Sequence, residues 1–135
     1  ALSDEWKHRL DGLKALNYYD YAGNPTMRPD GFKPDVAQWV HPVIRTHPET
    51  GRKAIYVNRL MTMRIEGLER DESDEILNYL FDHIEKPEFV YEHRWSVGEL
   101  MMWDNRCSVH ARTYFSPEKR RMMRRVTVRD PSPVA

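Results

Sequence analysis

Four apolar residues at helical spacing open the chain: Trp6, Leu10, Leu13 and Leu16. This spacing predicts an amphipathic helix over residues 4–17, since residues three and four apart lie on one helical face. Ser3 is a good N-cap because its hydroxyl can accept a hydrogen bond from an N–H of the first turn. Asp4 and Glu5 favour the same start, because negative charge is stabilised at the N-terminus of a helix.

A second helical pattern follows Ser73, which we expect to cap the helix. The pattern continues to about Lys86 and ends at Pro87, which cannot donate a helical hydrogen bond. Its apolar positions predict a buried inner face formed by Ile76, Leu77, Leu80, Phe81 and Ile84.

Short apolar runs between turn residues predict strands. Residues 39–44 form one candidate, with a proline at its edge. Residues 54–57 form the return strand of a hairpin whose turn, 48–51, ends on Gly51. Further candidates are residues 62–65, 89–95, 100–103, 109–113 and 126–129. Many short strands and two helices predict a mostly β fold with flanking helices, an antiparallel barrel or jelly roll.

Residues 18–36 have a different character, with glycines, prolines and aromatic residues in close succession. We expect a long loop. Two interpretations remain open: a functional lid over a site, since long loops in compact domains are often functional, or a plain connector.

Composition narrows the class of protein. The 135 residues suffice for a single domain, and 21 basic against 21 acidic residues give no net charge, so no nucleic-acid partner is expected. A single cysteine, Cys107, excludes an internal disulfide and suits the cytoplasm; we expect it to be buried packing. No apolar run is long enough for a membrane span, and no signal pattern opens the chain. The absence of an initiating Met predicts a piece of something longer.

One segment near the C-terminus suggests chemistry. His110 follows the run Trp103-Asp104-Asn105-Arg106, and Arg121 and Arg125 lie eleven and fifteen residues beyond it. A neutral imidazole can bind Fe(II), and a guanidinium can hold a carboxylate through two hydrogen bonds. If residues 121–125 form a strand, both arginines share one face. A solvated basic run, from Lys119 onwards, is the alternative interpretation.

Four stretches together resemble the C-terminal half of the taurine dioxygenase and phenoxyacetate-herbicide dioxygenase family. They are HPVIRTHPETGRKAIYVN (41–58), WSVGE (95–99), WDNRCSVH (103–110) and RRMMRRVTVRD (120–130), and the opening residues 2–17 also fit. The resemblance implies a double-stranded β-helix (jelly-roll, cupin-like) barrel, with residues 1–135 as its C-terminal portion. It also implies an Fe(II)- and 2-oxoglutarate-dependent dioxygenase that uses O2 and releases succinate and CO2.

The resemblance assigns roles to particular residues. His110 would be an iron ligand, Arg121 would anchor 2-oxoglutarate, and Arg125 would bind an anionic group of the substrate or of the 2-oxo acid. The expected substrate is a small organic anion: a sulfonate, a sulfate ester or an aryloxy acid. Trp103 would pack beside the metal and substrate pocket or belong to the ordinary core, while residues 104–106 would form a turn that positions His110.

The His-x-Asp/Glu pair that supplies the family's other iron ligands lies upstream of every matched stretch. Two pairs with that spacing, His47/Glu49 and His83/Glu85, are not expected to bind iron; the second lies on a predicted helix, where side chains two apart diverge. We therefore expect this chain alone to be inactive and to need a missing N-terminal segment. We also expect the protein to be a homo-oligomer. The alternative is a fragment, a partner-dependent half or a degenerate, non-catalytic barrel with a binding or structural role.

Overall fold

The computed structural model describes residues 1–18 and 36–128. The predicted loop at 18–36 lies outside the described residues except for its two ends. Within the described ranges the elements are α1 (Asp4–Arg9), β1 (Lys14–Tyr18), β2 (Gln38–Pro42), β3 (Ile44–Thr46), β4 (Lys53–Ile55), β5 (Thr62–Ile65), α2 (Arg70–Ile84) and a 3-10 turn (Pro87–Phe89). Short strands with flanking helices agree with the coarser part of the predicted fold class, a mostly β fold with flanking helices. No helix among the described residues has the length and apolarity required to cross a membrane.

The first helix is shorter than predicted. Ser3 caps it as expected, since its Oγ accepts a hydrogen bond from the Trp6 N–H at 3.4 Å. The helix ends at Arg9, and Gly12, with a φ of +72°, turns the chain into β1. The prediction of helix to residue 17 is therefore wrong. The apolar positions of residues 13–18 also suit a strand, and burial of this strand between two neighbours decides the outcome.

The strands form two small antiparallel sheets. In the first, β1 is central, with β2 and β5 on either side; in the second, β3 pairs with β4. Residues 39–44 are therefore not one strand: the chain leaves the first sheet after Pro42 and enters the second at Ile44. The predicted turn is confirmed, with Gly51 at a φ of +67°, but the hairpin around it is formed by β3 and β4 rather than by residues 39–44 and 54–57.

Helix α2 covers one face of this arrangement. Four of its five predicted inner residues, from Ile76 to Phe81, are buried in the core with Leu10, Ala15, Val43, Val57 and Ile65, while Ile84 is half-buried. Ser73 is not the cap, because the helix begins earlier, with Glu69 as N-cap. The buried Ser73 Oγ instead accepts a hydrogen bond from the Ile65 N–H at 2.8 Å, which attaches the helix to β5.

Beyond the 3-10 turn, residues 90–128 contain turns but no strand. The strands predicted at 89–95, 100–103 and 109–113 are therefore absent, as is the described part of 126–129. A strand needs a neighbour for its backbone N–H and C=O groups, and no described strand lies beside this segment. Its apolar side chains are correspondingly exposed; Leu100, Val126 and Val128 are each 90% accessible.

Candidate metal and co-substrate site

His110 lies on the surface of the C-terminal segment. Its ring packs against Trp103, with the two ring centroids 4.8 Å apart and the planes inclined by 54°. The indole N–H of Trp103 donates to Asn105 Oδ1 at 2.9 Å, which fixes the indole relative to the following turn. His110 is exposed, and no hydrogen bond to its ring occurs within residues 1–18 and 36–128.

The turn before His110 is built around the Asp104 carboxylate. The Arg106 backbone N–H donates to Asp104 Oδ1 at 2.8 Å, and the Arg106 guanidinium donates to both carboxylate oxygens, at 2.9 Å from Nε to Oδ1 and 2.6 Å from Nη2 to Oδ2. The Ser108 N–H donates to the Asp104 carbonyl at 3.1 Å. These hydrogen bonds, of which those from the Arg106 side chain contribute most, hold the pKa of Asp104 well below its ordinary range. The predicted turn at 104–106 is confirmed.

The β3–β4 hairpin contacts this turn from across the chain. His47 Nε2 lies 3.1 Å from Asp104 Oδ2, and Arg106 Nη1 donates to Glu49 Oε1 at 2.8 Å. His47 is well shielded, with a side chain 11% exposed, whereas that of Glu49 is 63% exposed. The HPETGR and WDNR stretches, 57 residues apart, are therefore joined by hydrogen bonds.

Arg121 and Arg125 are both exposed in the described chain. The Arg121 guanidinium lies over the Phe115 ring at 5.4 Å, and Arg112 lies over the same ring at 4.7 Å. Among the described residues, no hydrogen bond or ion pair joins either Arg121 or Arg125 to His110. The alternation that would place residues 121 and 125 on one strand face is absent, since this stretch is not a strand.

The described residues contain one group of three potential metal donors, and His110 is not among them. The group is His47, Asp104 and Cys107, whose candidate ligand atoms lie within 4.8 Å of one another. Both Asp104 oxygens already accept hydrogen bonds from Arg106, so a cation would have to displace an ion pair. Cys107 was expected to be buried, but it is exposed, because the turn directs it outwards with Sγ 3.8 Å from the Asp104 carbonyl oxygen.

The pair His83/Glu85 points in two directions. His83 is buried between the rings of Tyr79 and Phe89, at centroid distances of 6.1 and 5.3 Å. Glu85 instead accepts from Arg59 Nε at 2.9 Å. The helical divergence argued from the sequence is therefore observed.

Sequence reasoning missed the contacts of His47 and Glu49 with the turn before His110. A single sequence carries no signal for a pairing over this separation. The one available signal is that both stretches belong to the same family resemblance.

The family model described as "Taurine catabolism dioxygenase TauD, TfdA family" matches residues 1–127. The chain belongs to this family. The match covers almost the whole chain and includes His110, Arg121 and Arg125.

Individual relatives agree with the family model. The chain is 41% identical over 141 residues to pentalenolactone F synthase of Streptomyces avermitilis, with 93% of this chain and 46% of the relative covered. It is 34% identical over 142 residues to the alpha-ketoglutarate-dependent 2,4-dichlorophenoxyacetate dioxygenase of Cupriavidus pinatubonensis, with 96% of this chain and 46% of the relative covered.

A solved structure shares the fold of the described part. The structure of AAD-2 in complex with Mn(II) and N-oxalylglycine superimposes with a TM-score of 0.60 at 30% identity, covering 71% of this chain and 39% of that one. The chain thus spans less than half the length of the relatives it matches.

Proposed function

We propose that the whole protein is an Fe(II)- and 2-oxoglutarate-dependent dioxygenase that hydroxylates a small organic anion, and that residues 1–135 form the C-terminal portion of its jelly-roll barrel. The observation that carries the proposal is the family match over residues 1–127, which includes His110 after WDNR and Arg121 eleven residues on. Relatives named as alpha-ketoglutarate-dependent dioxygenases support the reaction class.

The residues present fit one part of a ferrous site. The His110 ring is solvent-accessible and makes no hydrogen bond with the described residues, so a ring nitrogen is available as a neutral ligand that adds no charge to the metal. A facial triad also needs a second imidazole and a carboxylate, and the described chain places neither beside His110. We propose that a segment outside this chain supplies both. When bound, iron with O2 and 2-oxoglutarate supplies the oxidising chemistry that yields succinate and CO2.

The protein groups bind and orient the reactants. Arg121 would pair its planar guanidinium with the distal carboxylate of 2-oxoglutarate through two charge-assisted hydrogen bonds. The Trp103 ring, packed on His110, would restrict rotation of the imidazole and exclude water from one side of it. Arg125 would bind the anionic group of the substrate, and a relative that acts on an aryloxy acid makes that substrate class a reasonable first choice.

An anaerobic titration with Fe(II) and 2-oxoglutarate tests the proposal. We expect the whole protein to develop the weak visible charge-transfer absorption of an iron-bound 2-oxo acid, and the 135-residue chain alone to develop none. A lone imidazole leaves iron held mostly by water, so it cannot fix a chelate. If the whole protein shows no such absorption and binds no iron, the proposal is wrong and the non-catalytic alternative stands. Succinate production by the isolated chain would show that it holds the other ligands itself.

Replacement of Arg125 by Ala should weaken the binding of the anionic substrate far more than the binding of 2-oxoglutarate. A negatively charged group facing Arg125 gains a charge-assisted hydrogen bond that a neutral analogue cannot make. The variant should therefore also reduce the preference for the acid over its uncharged amide. Both affinities are measured anaerobically with iron present, starting with an aryloxyacetate.

The matched control is Arg124→Ala, which removes the neighbouring exposed arginine of the same basic run. Its affinities should stay near those of the wild type. Equal losses of substrate and 2-oxoglutarate in Arg125→Ala would place Arg125 in the co-substrate pocket. No loss of either would leave it as a solvated surface charge.

A further inference from the structure

His47, the histidine of the His47/Glu49 pair, contacts the turn that precedes His110. Its imidazole is 11% exposed and lies between the hairpin turn and the Asp104 carboxylate. A shielded imidazole aimed at a carboxylate from a distant element is a specific arrangement, because the ring must be held in one orientation to make the contact.

In the neutral ring, the hydrogen bonds assign the tautomer of His47. The Thr50 backbone N–H donates to His47 Nδ1 at 3.3 Å, so Nδ1 carries the lone pair, and Glu49 Oε2 lies 3.4 Å from the same nitrogen. The proton is then on Nε2, which donates to Asp104 Oδ2 at 3.1 Å. The hairpin turn thereby fixes which nitrogen faces Asp104, in the way that a hydrogen bond to one ring nitrogen fixes the role of the other.

A second connection runs beside the first. Arg106 donates to Glu49 on the hairpin at 2.8 Å while its other nitrogens hold Asp104. The hairpin thus binds both ends of the short Asp104–Arg106 turn: the ring N–H of His47 donates to Asp104, and the carboxylate of Glu49 accepts from Arg106. The hairpin is itself anchored in the core, since the neighbouring Val43 and Val57 are fully buried.

We propose that His47, assisted by Glu49, is a positioning residue for His110 in the iron site: the hairpin holds the 104–108 turn, and the turn sets where the chain delivers Trp103 and His110. This inference rests on the proposed role of His110. Residues that orient a metal ligand through hydrogen bonds commonly change metal affinity by about 10- to 100-fold when they are replaced.

The three potential metal donors His47, Asp104 and Cys107 are less suited to a metal site of their own. Asp104 accepts from His47, from the Arg106 guanidinium and from the Arg106 backbone N–H, so its oxygens are occupied. An arginine side chain in the middle of the group also opposes a cation electrostatically. The arrangement is that of a tether between two chain segments.

The test uses the whole protein and two measurements. In metal-free protein, hydrogen exchange of the Arg106 and Ser108 amides reports the turn directly, since both N–H groups donate to Asp104. Anaerobic Fe(II) titration then reports the consequence for the site. In His47→Leu we expect both amides to exchange about fivefold faster, which corresponds to a bond of about 1 kcal/mol. We expect Fe(II) to bind about tenfold more weakly.

His47→Gln provides the rescue, because a Gln side-chain amide can still donate to Asp104. We expect it to return both readouts to within about twofold of the wild type, a difference of about 0.4 kcal/mol. Glu49→Gln, at an exposed position, should fold normally and show a smaller change in the same direction. The matched control is His93→Leu, which breaks a similar bond, 3.2 Å from His93 Nε2 to Glu99. Among the described residues, the hydrogen bonds of this turn stay within residues 93–99.

The outcomes separate the tether from the proposed function. Unchanged amide exchange in His47→Leu would show that His47 does not hold the 104–108 turn. Faster exchange with wild-type Fe(II) affinity overturns its role in positioning His110. Equal effects of His47→Leu and His93→Leu would reveal general loosening and overturn it as well. If His110→Ala itself keeps full iron affinity, the proposed iron site is wrong, and the positioning role fails with it whatever the exchange data show.

Discussion

His110→Ala in the whole protein should remove tight Fe(II) binding and all 2-oxoglutarate decarboxylation coupled to substrate oxidation. A facial triad holds the metal with three protein groups, and without one of them the remaining two cannot fix the geometry of O2 and co-substrate. Since loss of a hydrogen bond to a ligand already costs about 10- to 100-fold in metal affinity, loss of the ligand should cost at least about 100-fold. The measurements are anaerobic Fe(II) titration and succinate formation.

A suitable control is His8→Ala, which removes an exposed imidazole from α1, far along the chain from the site. It should bind iron as the wild type does. Undiminished turnover in His110→Ala would show that the imidazole is a surface group and that the iron ligands lie elsewhere.

Arg121→Ala should weaken the binding of 2-oxoglutarate by roughly thirty- to several-thousand-fold. In the proposed co-substrate pocket of the whole protein the pair of Arg121 and 2-oxoglutarate would be desolvated. Removing one partner of such a hydrogen-bonded charge pair costs on the order of 2–5 kcal/mol, which corresponds to that range. Arg121→Lys keeps the charge but loses the two-pronged geometry, so its affinity should fall between those of the wild type and the Ala variant. Titration of 2-oxoglutarate into the anaerobic iron-loaded protein measures the affinities of the wild type and of the two variants.

Arg120→Ala is the matched control, because Arg120 belongs to the same exposed basic run and neighbours Arg121 directly. Its affinity for 2-oxoglutarate should be nearly unchanged. If both variants lose affinity equally, the run acts through general electrostatic attraction. If Arg121→Ala keeps the wild-type affinity, the anchor for 2-oxoglutarate is another residue.

Local signals were sufficient for the elements that depend on their neighbours in sequence. Ser3 caps α1, Gly51 adopts the left-handed conformation in the hairpin turn, and residues 76–81 face the core as their spacing predicts. Each of these outcomes is decided within a few residues, by a hydrogen bond to the next turn, by the absence of a Cβ or by helical periodicity.

Tertiary context decided the elements that were predicted incorrectly. Residues 13–18 suit both a helix and a strand, and only the pairing of β1 between β2 and β5 selects the strand. Ser73 could cap a helix, but its hydroxyl is used to bind the Ile65 N–H instead. Residues 90–128 have strand-like composition, yet strand formation requires a second backbone, which no part of the described chain provides.

The candidate site divides in the same way. The sequence predicted the turn at 104–106, and the structure confirms it through the bonds between Asp104 and Arg106. The contact of His47 with that turn was not predictable, because it depends on the path of the whole intervening chain. The roles of His110, Arg121, Arg125 and Trp103 remain predictions that the variants above examine.

The His47–Asp104 contact also constrains the order in which the molecule folds. Closing a flexible loop of 57 residues costs about 3–4 kcal/mol in chain entropy. A partly exposed ion pair contributes about 0–1 kcal/mol, so these bonds cannot close such a loop on their own. The contact must therefore form after β4, β5 and α2 have consolidated and shortened the effective loop. A variant that loosens α2 would be expected to release the turn before His110 early in unfolding.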